Sequence, residues 1–158
     1  MKILKNSGIS ILELLMALAI LAIVVSFIIL NLTKFRNEQA LQNTTSDIIS
    51  LVNEARTKTI SSVNSTTYGV HFEASRAVLF AGSSFTEPNS NNKQVDINSA
   101  VSIPVSGGIN LNGGGSDVIF TRISGDTTNY GTIIVRLVSD ATRQKTITIN
   151  KTGIVSSN

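Results

Sequence analysis

Two hydrophobic patterns divide this chain. From Leu14 to Leu30 every residue except Ser26 is apolar, about the length a helix needs to cross a ~30 Å hydrocarbon core. Leu, Ala and Met dominate the first half of this run, and no Pro or Gly interrupts it, so the backbone has every reason to stay helical. Asn31 to Ser62 also lacks Pro and Gly, but there the apolar positions thin to a stripe. Leu41, Ile48, Val52, Ala55 and Thr59 recur at spacings of three, four and seven, with Gln42, Asp47, Asn53, Glu54 and Lys58 on the other side, the pattern of an amphipathic helix. The reading is one helix from about Ile9 to about Ile60, about 75 Å long. Its first half suits an apolar surrounding, and its second half suits packing against a globular head. A break into two helices near Asn31-Leu-Thr33 is the alternative.

From Ser61 the composition shifts to Ser, Thr, Asn, Gly and β-branched residues. Strands are predicted at Tyr68–Glu73, Ala77–Ala81, Gln94–Ile97, Val101–Val105, Val118–Arg122, Thr132–Val138 and Thr146–Asn150, with a last short one near Ile154–Val155. Turn signals such as Gly107-Gly108, Gly113-Gly114-Gly115, Ser124-Gly125-Asp126 and Ser139-Asp140-Ala141-Thr142 separate them. Lys145-Thr-Ile-Thr-Ile-Asn150 alternates, which predicts one buried and one wet face. Glu87 to Lys93 is polar and reads as an exposed loop. The fold class expected is α+β: a long N-terminal helix packed on a C-terminal antiparallel sandwich or curved sheet.

Composition narrows the chemistry. The 158 residues suffice for one domain and an anchor. With no cysteine there is neither a disulfide nor a thiolate site, and a single histidine, His71, rules out a site needing two imidazoles. The formal charge is +3, but two of the 13 basic residues, Lys2 and Lys5, stand in the first eight positions. They fit a cytoplasmic N-terminal tip under the positive-inside rule, and without them the charge offers no case for nucleic acid.

One residue breaks the apolar run's opening. Glu13 is a carboxylate at the start of an apolar helix, a group that costs roughly 2.5–3.5 kcal/mol at a bilayer centre and so calls for a partner or a task. A secretory signal peptide does not fit, because the run is too long and no Ala-x-Ala site follows it. A plain signal anchor fits the length and leaves Glu13 without purpose. The stretch Gly8-Ile9-Ser10-Ile11-Leu12-Glu13-Leu14-Leu15 resembles the processing motif of type IV prepilins and pseudopilins. The resemblance implies cleavage between Gly8 and Ile9, N-methylation of Ile9 by prepilin peptidase, and a Glu13 carboxylate that meets the Ile9 amine of a neighbouring copy. Such a pairing would select axial register, since a buried acid is tolerated only where a cation meets it. Ile9 departs from the Phe or Met most common at that position. The absence of Pro from the membrane half implies a straighter helix than in many pilins. The implied organisation is a leader (residues 1–8), a transmembrane or filament-core half (9–30), an amphipathic half (31–61) and a β-rich head (62–158).

The last forty residues add a second resemblance. Val118-Ile-Phe120, Gly125, Gly131-Thr-Ile-Ile-Val135, Thr146-Ile-Thr-Ile149 and Gly153-Ile-Val155 resemble the closing strands of GspH/FimT-type minor pseudopilins. Some members of that group bind DNA through a Gly-Arg-x-Arg strand; here Gly153-Ile154-Val155-Ser156 lacks the arginines. The resemblance implies a subunit of a type II secretion pseudopilus or a type IV pilus, in the inner membrane with its head outside. The implied partners are prepilin peptidase, other pilins or pseudopilins, membrane lipid, and an assembly platform with a cytoplasmic ATPase.

An enzyme is not expected, because no convergent set of reactive groups is visible. His71 reads as an ordinary strand residue, and Asp117, Asp126 and Asp140 sit beside Gly or Ser in apparent turns without the ligand spacing of a calcium loop. No catalytic residue, metal site or cofactor is expected. The alternative function is a DNA-uptake pilin whose head holds DNA through Arg122, Arg136, Arg143, Lys145 and Lys151; no aromatic interleaving accompanies them, and a solvated strand face is the competing reading. Asn64-Ser-Thr66 and Asn150-Lys-Thr152 are sequons of a kind expected by chance in so Asn- and Thr-rich a chain.

Overall fold

The computed structural model describes residues 9–158, apart from the side chains of residues 27, 28, 30 and 31. Two compact units divide the chain, one ending at Arg36 and one running from Asn37 to Asn158, here called the head. Helix α1 (Ile11–Ile60) is continuous over 50 residues, so the break considered near Asn31–Thr33 is not present. Neither Gly nor Pro stops it. Ser62 turns into the left-handed region at φ 50, and a short 3-10 turn follows at Val63–Ser65.

The head has nine strands. β1 (Tyr68–Phe72), β2 (Arg76–Ala81), β3 (Lys93–Asp96), β4 (Val101–Ser102), β5 (Ile109–Leu111), β6 (Asp117–Ile119), β7 (Gly131–Leu137), β8 (Gln144–Ile149) and β9 (Val155–Ser157) follow α1 in order. They form two sheets, one ordered β3-β2-β1-β6 and one ordered β4-β7-β8-β9, with β5 also pairing β7. All pairings are antiparallel.

Several boundaries differ from the sequence reading for local reasons. The strand expected at Val101–Val105 ends at Ser102, because Pro104 has no N–H to continue a ladder, and Val105 is left 95% exposed. β5 was not expected at all: three residues between glycine turns carry too little pattern to register as a strand. The strand expected to reach Arg122 ends at Ile119; only Phe120 continues it, bridged to Thr127. The last strand lies one residue later than expected, at Val155–Ser157.

The predicted stripe supplies the core of the head. Leu41, Ile48, Val52, Ala55 and Thr59 are all buried, joined by Leu51, Thr44 and Thr45. Leu41, Ile48, Leu51, Val52 and Ala55 belong to one cluster with Val70, Phe72, Leu79 and Val118 of the first sheet and Ile133, Val135, Ile147 and Ile149 of the second. Alternation holds in β7 and β8, where the buried residues are every second one. It fails in β2, where Ala77 to Phe80 are all buried. There the loop after β2 covers the outer face, with Phe85 edge-on to Phe80 at 5.6 Å.

Thr59 ties the helix to the first strand. Its hydroxyl donates to the Ala55 carbonyl at 2.9 Å and accepts from the buried Tyr68 N–H at 2.9 Å. Thr59→Val keeps the shape but orphans that N–H, so the head should lose about 1–3 kcal/mol. Urea midpoints of the two proteins at equal slope measure it, and an unchanged midpoint would mean that water replaces the hydroxyl.

Candidate assembly site

Residues 9–36 present the first candidate site. α1 begins after Ser10, whose side-chain oxygen accepts from the Leu12 N–H at 3.3 Å and whose carbonyl accepts from Leu14 N–H at 3.1 Å. That fixes the first turn, and Glu13 stands in it, where a carboxylate complements the positive end of the helix dipole. Ser10, Leu12, Glu13, Met16, Ala17 and Ile20 line a shallow groove of almost wholly apolar surface. Glu13, Met16, Ala17 and Ile20 follow helical spacing, so the carboxylate lies on an apolar stripe. Ile9, at the head of this segment, is exposed. Gly8 and the leader lie outside the described residues.

Among the described residues no helix is long and apolar enough to cross a membrane. The apolar run read from the sequence, Leu14–Leu30, includes positions 27, 28 and 30, whose side chains are outside the described ones.

In the head, the polar side chains serve mainly to clamp loops. His71 Nδ1–H donates to the Asp117 carboxylate, its Nε2 lies 3.5 Å from Glu73 Oε1, and its ring stacks on Phe85 at 4.0 Å. Arg76 binds Glu73 through two nitrogens, both at 2.8 Å, and Glu87 at 2.8 and 2.9 Å, which ties the start of the exposed loop to β2. The Arg76 guanidinium holds the Glu73 carboxyl below its ordinary range, and Lys58, then Lys93, do the same for Glu54. A carboxyl with a lowered folded-state pKa contributes stability above its unfolded value of about 4.5, and that contribution is lost as pH falls through the folded value. Both side chains are about a third exposed, so the contribution is screened. The unfolding temperature should fall modestly between pH 5 and pH 3, and the fall should be smaller in Arg76→Ala. An identical pH profile for the two proteins would remove Arg76 as the cause.

The five basic residues named from the sequence do not converge. Arg136 pairs with Gln144 across β7 and β8, while Lys145 pairs with Val135 one position on, which places Arg136 and Lys145 on opposite faces of that sheet. Arg143 lies in the β7–β8 turn and reaches Glu38 at 3.1 Å. Arg122 and Lys151 lie at the other end of the head, in turns joined by the Thr127 N–H to the Lys151 carbonyl. Asp126 shares the Arg122 turn, and Asp140 caps the β7–β8 turn, accepting from Thr142 N–H and Oγ1–H at 3.0 and 2.6 Å. Among the described residues no three His, Asp or Glu side chains gather as a metal site.

Sequence reasoning missed Arg56. From α1 it donates to the Gly125 carbonyl and to the Thr152 carbonyl, each at 3.2 Å. It thereby closes two turns over the end of the helix, and no periodicity flags a residue on the helix flank for that task.

A long helix entering an antiparallel β head is a combination that can be compared with known structures. The chain is similar to the crystal structure of the type IV minor pilin FimU of Pseudomonas aeruginosa, with a TM-score of 0.55 over 75% of this chain and 92% of that one, at 10% sequence identity. The fold is type IV pilin-like. No family model matches the sequence, and no curated protein matches it. At this identity the pilin-like fold is carried by architecture, not by shared residues.

Proposed function

We propose that this chain is a subunit of a type IV pilus or a type II secretion pseudopilus, of the GspH/FimT-like minor kind. Prepilin peptidase removes residues 1–8 and methylates Ile9, the apolar half of the helix holds the subunit in the inner membrane with its head outside, and assembly runs through that helix. The observation that carries this reading is Gly8-Ile9 followed by Glu13 at the start of a helix that enters a pilin-like fold. Glu13 lies on an apolar stripe, where a neighbour's amine is the partner its charge needs. The chain performs no catalysis; a platform with a cytoplasmic ATPase drives assembly, and sister pilins are its lasting partners. The division of the five basic residues between two ends and two sheet faces lends no support to the DNA-uptake alternative.

The intact mass of the membrane-extracted protein, with and without prepilin peptidase in the cell, tests the reading. Loss of residues 1–8 with one added methyl, only when peptidase is present, is the expected result. An uncleaved mass despite active peptidase would leave an anchored β domain in place of a pilin.

A further inference from the structure

We propose that Lys34, Phe35 and Arg36 form a collar on α1 that binds the phosphates of phospholipid headgroups and so sets the depth at which the helix sits in the membrane before assembly. The inference rests on the reading of residues 9–30 as a membrane helix and adds to it a lipid contact at the outer end.

Spacing along the helix is the first support. No charged residue stands between Glu13 and Lys34, and the helix from Leu14 to Thr33 is about 30 Å long, the thickness of a hydrocarbon core. The two hydroxyls in that interval need no water. Ser26 Oγ–H donates to the Ala22 carbonyl at 2.8 Å and Thr33 Oγ1–H to the Ile29 carbonyl at 3.1 Å, the arrangement by which a helix hides hydroxyls in lipid. The charge that ends the interval is in the wrong place for topology alone. Under the positive-inside rule cations belong at the other end, where Lys2 and Lys5 stand. With residues 1–8 removed, Lys34 and Arg36 are the only Lys or Arg ahead of the head.

The arrangement around the helix selects lipid over a protein partner. Successive helical residues point about 100° apart, so three in a row reach around more than half of the circumference. All three are exposed, Phe35 by 61%, and Lys34 and Arg36 make no ion pair among the described residues. A protein seats on one stripe of a helix, at spacings of three and four. The boundary between hydrocarbon and water meets every side of it at one height. There the aliphatic stems of Lys34 and Arg36 lie along apolar surface while their charged ends reach phosphate, which the guanidinium matches with paired N–H donors. Phe35 is the apolar member at the same level. With this end held, Glu13 lies about 30 Å away at the opposite headgroup layer, about one turn from the level of the Ile9 amine.

The chain has no tryptophan, so Phe35→Trp places a single reporter in the collar. The full chain carrying it is reconstituted in vesicles of phosphatidylcholine and phosphatidylglycerol brominated at a shallow or at a deep acyl position. Shallow bromine should quench the emission roughly twofold more than deep bromine, as for a residue at the interface. Adding Lys34→Asp and Arg36→Asp, which phosphate repels, should cut the shallow quenching roughly twofold. Stronger quenching by deep bromine places the residue in hydrocarbon and overturns the proposal. An emission that neither bromine touches overturns it too, and leaves the three residues to water or to a protein partner. Quenching unmoved by the two aspartates overturns the part given to the cations. Alkaline carbonate keeps this result apart from the reading beneath it. A chain that stays in the vesicles but fails the reporter test loses the collar alone; a chain released by carbonate loses the membrane helix as well.

Discussion

Gly153→Ala should lower the unfolding midpoint of the head by roughly 10 °C. Gly153 has φ +76, and a methyl group built on it would fall on the Gly125 carbonyl oxygen and 2.7 Å from the Arg56 guanidinium nitrogen. The left-handed backbone alone costs alanine about 1 kcal/mol. The contact adds about 1–3 kcal/mol of overpacking, because the atom it meets is a carbonyl held by a turn and cannot swing aside. The turn carrying Gly125 has no room to retreat either, since a methyl group there would meet Ile60 Cδ1 at 2.6 Å. A sum near 3 kcal/mol corresponds to about 10 °C for a domain of this size. Gly114→Ala is the control. Its φ of +75 is the same, yet nothing lies within 4 Å of the added methyl, so only the backbone cost of about 1 kcal/mol remains. Equal losses in the two variants would show that the junction under Arg56 is loose.

That junction also marks where the sequence stopped being legible. The stripe from Leu41 to Thr59 was readable because each helical position has a fixed direction, so periodicity translates into burial. β7 and β8 were readable for the same reason with a period of two. The turn glycines were visible as punctuation, but nothing in the order of residues says that Gly125 and Gly153 lie against each other, or that Arg56 bridges them. Contacts between residues 56, 125 and 152 are set by the closure of the whole head, and only three-dimensional packing states them. The same holds for Arg76, whose partners Glu73 and Glu87 lie on either side of β2. β2 was legible only as a strand; burial of both its faces was not, since the loop covering its outer face is polar in sequence apart from Phe85. The candidate assembly site stood at the other extreme. A lone acid opening an apolar helix is anomalous on energetic grounds alone, so Glu13 drew notice without any knowledge of the fold.

The largest functional effect is expected at that residue. Glu13→Ala should cut the share of the chain recovered in sheared filaments at least tenfold, while the amount in the membrane stays level or rises. The second half follows from removing a charge that costs roughly 2.5–3.5 kcal/mol at the centre of a bilayer. The first follows from how one acid selects among registers. An apolar helix such as residues 14–26 slides against its copies with little change in energy, because Leu, Ile, Val and Ala contacts differ little from one offset to the next. On the proposed pairing a carboxylate changes that: every offset that leaves it without the Ile9 amine of a neighbour would be penalised, and the paired offset would not. Alanine lowers the penalty of the wrong registers without favouring the right one, so helices still associate but fail to propagate in order. A tenfold loss requires only about 1.4 kcal/mol of lost discrimination, well inside what one buried charge supplies. Glu13→Gln separates charge from shape. Glutamine keeps the volume and can hydrogen-bond the amine but cannot neutralise it, so it should assemble nearly as poorly as alanine. If glutamine assembled like glutamate, a hydrogen bond would be sufficient; if alanine did so, register would be set elsewhere.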